Sequence, residues 1–225
     1  MDNFDIEKRR YYALMIVGIA LPLLLLPFLS MLFLSTDQST AYRLICSRFL
    51  IWAVFGLMLL YARYGEVQRF MLWDDERYDI GVLIGFVILL FLLIFIAGIV
   101  AHIPFYFGLR EKNEAGHKMQ QVMDRYPMVM IFTVATAGIT EELIFRGYMI
   151  PRLSLFFKNK NIPVFISAAL FSFIHLGYKN VAELIFTLLF GLIVGFHYQK
   201  FRNIHVLIIV HFLWDLMACM VGHGR

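Results

Sequence analysis

Residues 138–148 read GITEELIFRGY and place two adjacent carboxylates and an arginine, Glu141, Glu142 and Arg146, in a run (128–150) otherwise apolar enough to lie in a bilayer. Ionisable groups at membrane depth cost about 2.5 to 3.5 kcal/mol each on insertion scales, so they are functional candidates by default. Helix geometry separates the three. Glu142 and Arg146 are four apart with the glutamate first, so they share a face and pair in the favoured order. Glu141 points roughly 100° away around the same helix, out of easy reach of Arg146. One acid is held by a cation. The other stands in apolar surroundings, positioned to take a proton from water.

The rest of the chain supplies the setting. Its 225 residues are 61% hydrophobic and 16% charged, with a mean hydropathy of +0.75, which excludes an ordinary soluble domain and points to a polytopic membrane protein. The expected fold is all-α, a membrane helix bundle of seven spans at 11–35, 43–61, 80–103, 128–150, 162–178, 181–199 and 204–222. Each is near the ~20 residues that a helix needs to cross the hydrocarbon layer. Pro22 and Pro27 should kink the first span without ending it. The charged N-terminus precedes an apolar run too long for a signal-peptide core, so the first span is expected to stay attached. Residues 1–225 read as one integral membrane domain, with a catalytic core at about 128–220.

Lys and Arg cluster between the apolar runs, more of them on the segments that a cytoplasmic N-terminus would place inside. The net charge of +4 therefore implies membrane lipids as partners and no nucleic acid. Cys46 and Cys219 lie in apolar segments with no metal-ligand spacing, which argues against a disulfide framework. Arg48 reads as a snorkelling or helix-pairing cation. Three loops stand out. RFMLWDDERYD (69–79) suits an interfacial anchor with Trp73 at headgroup level, and the basic, aromatic 151–161 connection suits a membrane surface. The 107–126 loop predicts either a short surface helix with Met119, Val122 and Met123 on one side, or an eighth crossing or re-entrant segment.

Further polar groups sit in the last spans. Phe171 and His175 are four apart in FSFIH, and His211 and Asp215 are four apart in HFLWD, so each pair shares a face. Either histidine alone is an ordinary hydrogen-bonded core residue. Together with Glu141 they are three helices' worth of polar groups that lipid would penalise unless they met. His102, Glu183, His197 and His205 lie at span ends, where headgroup contact accounts for them.

The order E-E-x-x-x-R, F-x-x-x-H, H-x-x-x-(N or D) on successive apolar segments resembles the CAAX protease and bacteriocin-processing family, also called the abortive-infection family, over 128–220. The resemblance implies a glutamate-dependent intramembrane peptidase related to the type II endopeptidases that trim prenylated CAAX tails. It implies Glu141 as catalytic base, Glu142 and Arg146 completing the first motif, His175 helping to hold the attacking water, and His211 with Asp215 at the oxyanion-stabilising positions. The short loops resemble bacterial members, which implies an inner-membrane location and a membrane-associated peptide or protein substrate, lipid-modified or of leader type.

Asp215 departs from the asparagine common at that position, because an ionised carboxylate cannot donate to an oxyanion. Either it stays protonated and donates, or it polarises His211 from one turn away; the second is the expectation. No cofactor is expected. Two glutamates and two histidines are a ligand set for zinc, but the helical H-E-x-x-H signature is missing. Two other classes fit the same helices: a membrane scaffold or immunity protein with polar interhelical contacts, and a small proton-coupled transporter. Straight helices with these span ends put His175 roughly 10 Å further out than Glu141 and His211.

Overall fold

The computed structural model describes residues 3–34, 38–108, 114–178 and 180–222, and every regular element among them is helical. Among the described residues six helices are long and apolar enough to cross a membrane: Arg9–Phe33, Thr40–Gly65, Ile80–Phe105, Pro127–Leu153, Val181–Phe201 and Ile204–Val221. The chain divides into two compact units, Met1–Leu72 and Trp73–Arg225.

The first unit is a helix pair. α1 (Asn3–Phe33) runs through Pro22 and Pro27 without a break, as expected of prolines in a lipid-embedded helix. Ser39 caps α2 (Thr40–Leu60) by accepting from the Tyr42 amide at 3.3 Å. A single π turn, Tyr61–Gly65, ends the second helix, and the Tyr61 hydroxyl donates to the Leu14 carbonyl at 2.8 Å, which fixes the pair's register. Arg48 stays on its own helix, its Nε 3.3 Å from Ser47 Oγ.

The second unit carries the polar residues. Its elements are α3 (Ile80–Ala101), α4 (Ile103–Tyr106), α5 (Glu114–Arg125), α6 (Pro127–Glu141), a π segment (Glu142–Met149), α7 (Ile150–Leu153), α8 (Asn161–Phe173), α9 (Val181–Phe201) and α10 (Ile204–Gly222). α8 and α9 form an antiparallel hairpin, α10 returns against α6, and α3 packs on α9 and α10. Small residues let these helices approach. A Cβ on Gly191 would meet Ala168 Cβ at 2.9 Å, one on Gly195 would meet Val164 Cγ1 at 2.8 Å, and one on Gly138 would meet the Phe212 amide nitrogen at 3.1 Å. Without a hydrophobic driving force between helices in lipid, close backbone packing of this kind is what holds a bundle together.

One sequence expectation changes here, and two loops gain a structure. The fifth apolar run, 162–178, is helical only to Phe173, about 20 Å of α-helix and too short to cross by itself. Polar Ser172 and His175, then Gly177, end it, and a 3-10 turn (Leu176–Tyr178) leads into α9. In the 107–126 loop, α5 has 12 residues, too few to make an eighth crossing. Met123 is buried, Met119 and Val122 are half-buried, and Gln120 Nε2 donates to the Cys219 carbonyl at 2.8 Å. Residues 109–113 of that loop lie outside the described residues.

Within the 69–79 run, expected as an interfacial anchor, residues 75 and 76 also close the α9–α10 turn. Asp75 Oδ1 accepts from the Ile204 amide at 3.0 Å, the Glu76 amide donates to the Arg202 carbonyl at 2.8 Å, and Asn203 Nδ2 donates to the Glu76 carbonyl at 3.1 Å. Arg202 takes the left-handed conformation (φ 43°) that reverses the chain, and its guanidinium lies 5.0 Å from the centre of the Trp73 ring.

Substituting Gly191→Val is expected to destabilise the protein by about 1 to 3 kcal/mol through overpacking against Ala168. Gly56→Val, where a Cβ would meet nothing within 4 Å, serves as the control with little change. Thermal unfolding in detergent micelles compares the two.

Candidate active site

The site begins where α6 stops being an α-helix. Pro151 has no N–H, and its ring crowds the carbonyl four residues earlier, so a regular ladder cannot run through it. The preceding Glu142–Met149 segment is wound instead as a π-helix, and α7 resumes with proline in its first turn. Wide turns of this kind cluster at functional sites. Glu141 is therefore the last α-helical residue and Glu142 the first of the wider coil, yet Glu142 and Arg146 stay in register.

Glu142 Oε1 accepts two hydrogen bonds, from Arg146 Nη1 at 2.8 Å and from His211 Nδ1 at 2.7 Å. All three side chains are sealed from solvent, at 0%, 1% and 6% exposure. The Arg146 guanidinium lies over the ring of Phe171 at 4.6 Å and faces Phe190 at 5.6 Å, so two aromatic faces stabilise the buried cation. The His211 ring packs against Phe190 at 4.7 Å and Phe171 at 6.3 Å. The carboxylate fixes the tautomer, because an acceptor at Nδ1 requires the proton there. Glu142 Oε2 and Arg146 Nε and Nη2 are buried with no hydrogen-bond partner among the described residues.

The other edge of the imidazole faces two acids. Asp215 Oδ2 lies 3.5 Å and Glu141 Oε2 3.9 Å from His211 Nε2, with side-chain exposures of 31% and 17%. Both distances are longer than a direct hydrogen bond, so Nε2 is aimed into a space between two carboxylates. Glu142 orients His211 by a hydrogen bond at Nδ1, and Asp215, expected to polarise the ring from one turn away, lies at ion-pair distance from the opposite nitrogen.

His175 follows the end of α8. Its Nδ1 lies 2.8 Å from the Phe171 carbonyl, to which it donates, so Nε2 of the neutral ring carries a lone pair. The Phe171 ring links the two histidines, 4.9 Å from His175 and 6.3 Å from His211. Asp215 also interacts electrostatically with His175. The helix bearing Glu141 continues past Pro151 to Leu153, beyond the expected span end at 150. Phe190, the second face over Arg146, carried no signal in the sequence, being one aromatic in an apolar helix. Among the described residues no group of three or more His, Cys, Asp and Glu side chains is arranged to hold a metal ion.

Comparison with known proteins places this constellation. Residues 124–217, the stretch that contains Glu141, Arg146, His175, His211 and Asp215, match the family described as Type II CAAX prenyl endopeptidase Rce1-like. Over this stretch the chain is similar to that family. The UPF0177 protein YvdC of Lactococcus lactis subsp. lactis (strain IL1403) is 29% identical over 144 residues, 63% of this chain and 52% of its own length. The "Putative membrane peptidase YdiL" of Bacillus subtilis (strain 168) is 24% identical over 181 residues, 76% of this chain and 71% of its own length. The chain thus aligns with about half of the first relative's length and 71% of the second's. No solved structure matches. The Rce1-like match over 124–217 and the apolar helices are those of an integral membrane protein.

Removing the cation should expose how strongly the Rce1-like segment depends on it. Arg146→Met leaves Glu142 buried with His211 as its hydrogen-bond partner, and is expected to cost about 3 to 5 kcal/mol, as breaking a buried pair does. Arg146→Lys restores the charge but not the planar stacking on Phe171 and is expected to fall between. Thermal unfolding of the purified variants measures both.

Proposed function

We propose that this protein is a glutamate-dependent intramembrane endopeptidase in which Glu141 takes a proton from a water molecule that attacks the scissile carbonyl. The observation that carries this reading is the division of the two glutamates. Glu142 is engaged by Arg146 and His211, whereas Glu141 stands partly exposed on the far side of the His211 ring. Peptide hydrolysis needs a base for water and a donor for the oxygen that becomes negative. Glu141 supplies the first. His211 supplies the second as its imidazolium, with Nδ1–H held by Glu142 and Nε2–H directed at the space between Glu141 and Asp215. His175, with its lone pair at Nε2, helps hold the water. The water adds its hydroxyl to the carbonyl carbon, its proton passes through Glu141 to the leaving amine, and the C–N bond breaks. Asp215 lines the same space and acts by position.

The reaction in this reading uses no metal. The substrate is a membrane-held peptide or protein, of prenylated CAAX or leader type, and the protein sits in a bacterial inner membrane with a cytoplasmic N-terminus. YdiL's name as a membrane peptidase supports the hydrolytic class.

Glu141→Gln, a near-isosteric change, is expected to leave the fold intact and reduce cleavage by at least about 10²-fold, the scale of general-base loss. The readout is a comparison of peptide termini in membranes expressing wild type and variant, in which wild-type-only termini identify the substrate; identical sets of termini would overturn the reading. Activity on that substrate is expected to survive exhaustive chelation. Glu142→Gln should cost about 10²-fold or more, because it unsettles the His211 tautomer. Asp215→Asn should retain activity within about tenfold, since an amide occupies the same space without taking over the role of Glu142.

A further inference from the structure

Two serines of α8 depart from the pattern of the hydroxyls around them. In an apolar helix a serine or threonine hydroxyl commonly donates to the carbonyl one turn back in its own chain. Thr140, Ser154 and Thr187 do so, to the carbonyls of Thr136, Ile150 and Glu183 at 2.7, 2.9 and 2.8 Å. Ser167 and Ser172 reach across to other helices instead. Ser167 Oγ donates to the Phe145 carbonyl of the π segment at 2.8 Å, and Ser172 Oγ donates to the Leu184 carbonyl of α9 at 2.8 Å. The helix too short to cross the bilayer is thereby fastened to two neighbours.

The Ser167 bond lands on the peptide unit that carries Arg146. The Phe145 carbonyl and the Arg146 amide share one plane, so a donor held on that oxygen fixes the direction from which the Arg146 side chain departs. Ser167 is 1% and Phe145 3% exposed, so water does not compete for the bond. Four residues further along the same face of α8, the Phe171 ring takes the other end of the arginine. It lies under the guanidinium at 4.6 Å and edge-on to the Phe145 ring at 5.2 Å. A single helix thus grips Arg146 by its backbone and by its charge. Pro151 forbids a regular α ladder through the π segment, but it does not decide where each carbonyl points. Arg146 in turn donates to Glu142 Oε1 at 2.8 Å, and the same oxygen accepts from His211 Nδ1 at 2.7 Å. A rotation of the 145–146 peptide is therefore passed to the imidazole.

We propose that Ser167 is a positioning residue of the site: its hydroxyl, through the Phe145 carbonyl, sets Arg146 and Glu142 and so keeps the His211 ring in place. Its consequence for turnover rests on the hydrolytic reading of the site, whereas its hold on His211 is measured without cleavage. Ser167→Ala deletes the donor. Ser154→Ala deletes a hydroxyl bonded within its own helix just beyond the π segment, and so measures what the loss of a hydroxyl does by itself. Both are prepared with ¹⁵N-labelled histidine in detergent micelles, and the His211 Nδ1 proton is identified as the signal missing from His211→Gln. A buried, hydrogen-bonded proton exchanges with solvent only when its surroundings open. In Ser167→Ala that exchange is expected to be at least about tenfold faster than in wild type, and in Ser154→Ala unchanged. A wild-type rate in Ser167→Ala, or equal acceleration in the two variants, would overturn the positioning role. Ser167→Cys, whose thiol is a weaker donor, carries the test if the alanine variant does not fold: a severalfold faster rate is expected, and a wild-type rate counts equally against the role.

Turnover supplies the second readout. On the substrate defined by the wild-type-only termini, Ser167→Ala is expected to lower kcat about tenfold with KM unchanged, as misplacement of reacting groups does. An unchanged kcat would separate Ser167 from the chemistry and end the proposal. An inactive Glu141→Gln beside a wild-type exchange rate in Ser167→Ala removes the positioning role alone. Full cleavage by Glu141→Gln beside faster exchange in Ser167→Ala removes the peptidase reading and leaves the hold on His211 standing.

Discussion

A carboxylate with no exposed surface, Glu142, is the constraint around which the second unit is arranged. A buried charge is tolerated only when it is paired and hydrogen-bonded. The pairing here draws on several helices. Arg146 comes from the same π segment, His211 from α10, and the rings that seal the guanidinium, Phe171 and Phe190, from α8 and α9. None of these groups can leave without stranding another: the arginine without the glutamate is an unpaired cation under two aromatic faces, and the histidine without it loses the acceptor that fixes its tautomer. The electrostatic requirement thus acts as a specification for helix packing.

Glycine contacts make that specification achievable. Gly191 and Gly195 bring α9 within backbone contact of Ala168 and Val164 on α8, and Gly138 brings α6 against Ile208 and Phe212 of α10. Gly138 lies three residues before Glu141, and Phe212 is adjacent to His211. The closest approach of the two helices is therefore next to the residues whose side chains must meet. The clamp on the α9–α10 turn has a related effect. Asp75 and Asn203 satisfy amides of the first turn of α10, which sets the rotation of a helix whose seventh and eleventh positions from Ile204 are His211 and Asp215.

The parts of this arrangement that were legible in the sequence are the ones encoded locally. Apolar runs near membrane length marked the helices, and the four-residue spacing marked the Glu142–Arg146 pair. The polar residues of three apolar segments, read together, marked Glu141, His175, His211 and Asp215 as one group; Glu141 and Asp215 lie 3.9 and 3.5 Å from His211, and the Phe171 ring stands between His211 and His175. What stayed hidden depends on distant partners or on backbone winding. The π segment follows from Pro151 acting backwards on a helix that hydropathy treats as uniform. The choice between the two ring nitrogens of His211 was invisible because Glu142 is 69 residues away in the chain. Asp75 looked like one charge in an interfacial run, and its task is to cap a helix 129 residues later. The end of α8 was missed because Ile174 and Leu176 continue the apolar run past the point where the backbone leaves the helix.

That early ending of α8 has a bearing on the surrounding bilayer. Phe165 and Phe173 project from this short helix with 53% and 63% of their surface exposed, so the apolar band it offers to lipid is about 20 Å tall beside a hydrocarbon layer of about 30 Å. A mismatch of that size is relieved by local thinning, at fractions of a kcal/mol per ångström. Membrane thickness then becomes a variable of the protein's own energetics, and lipids with shorter chains are its better solvent.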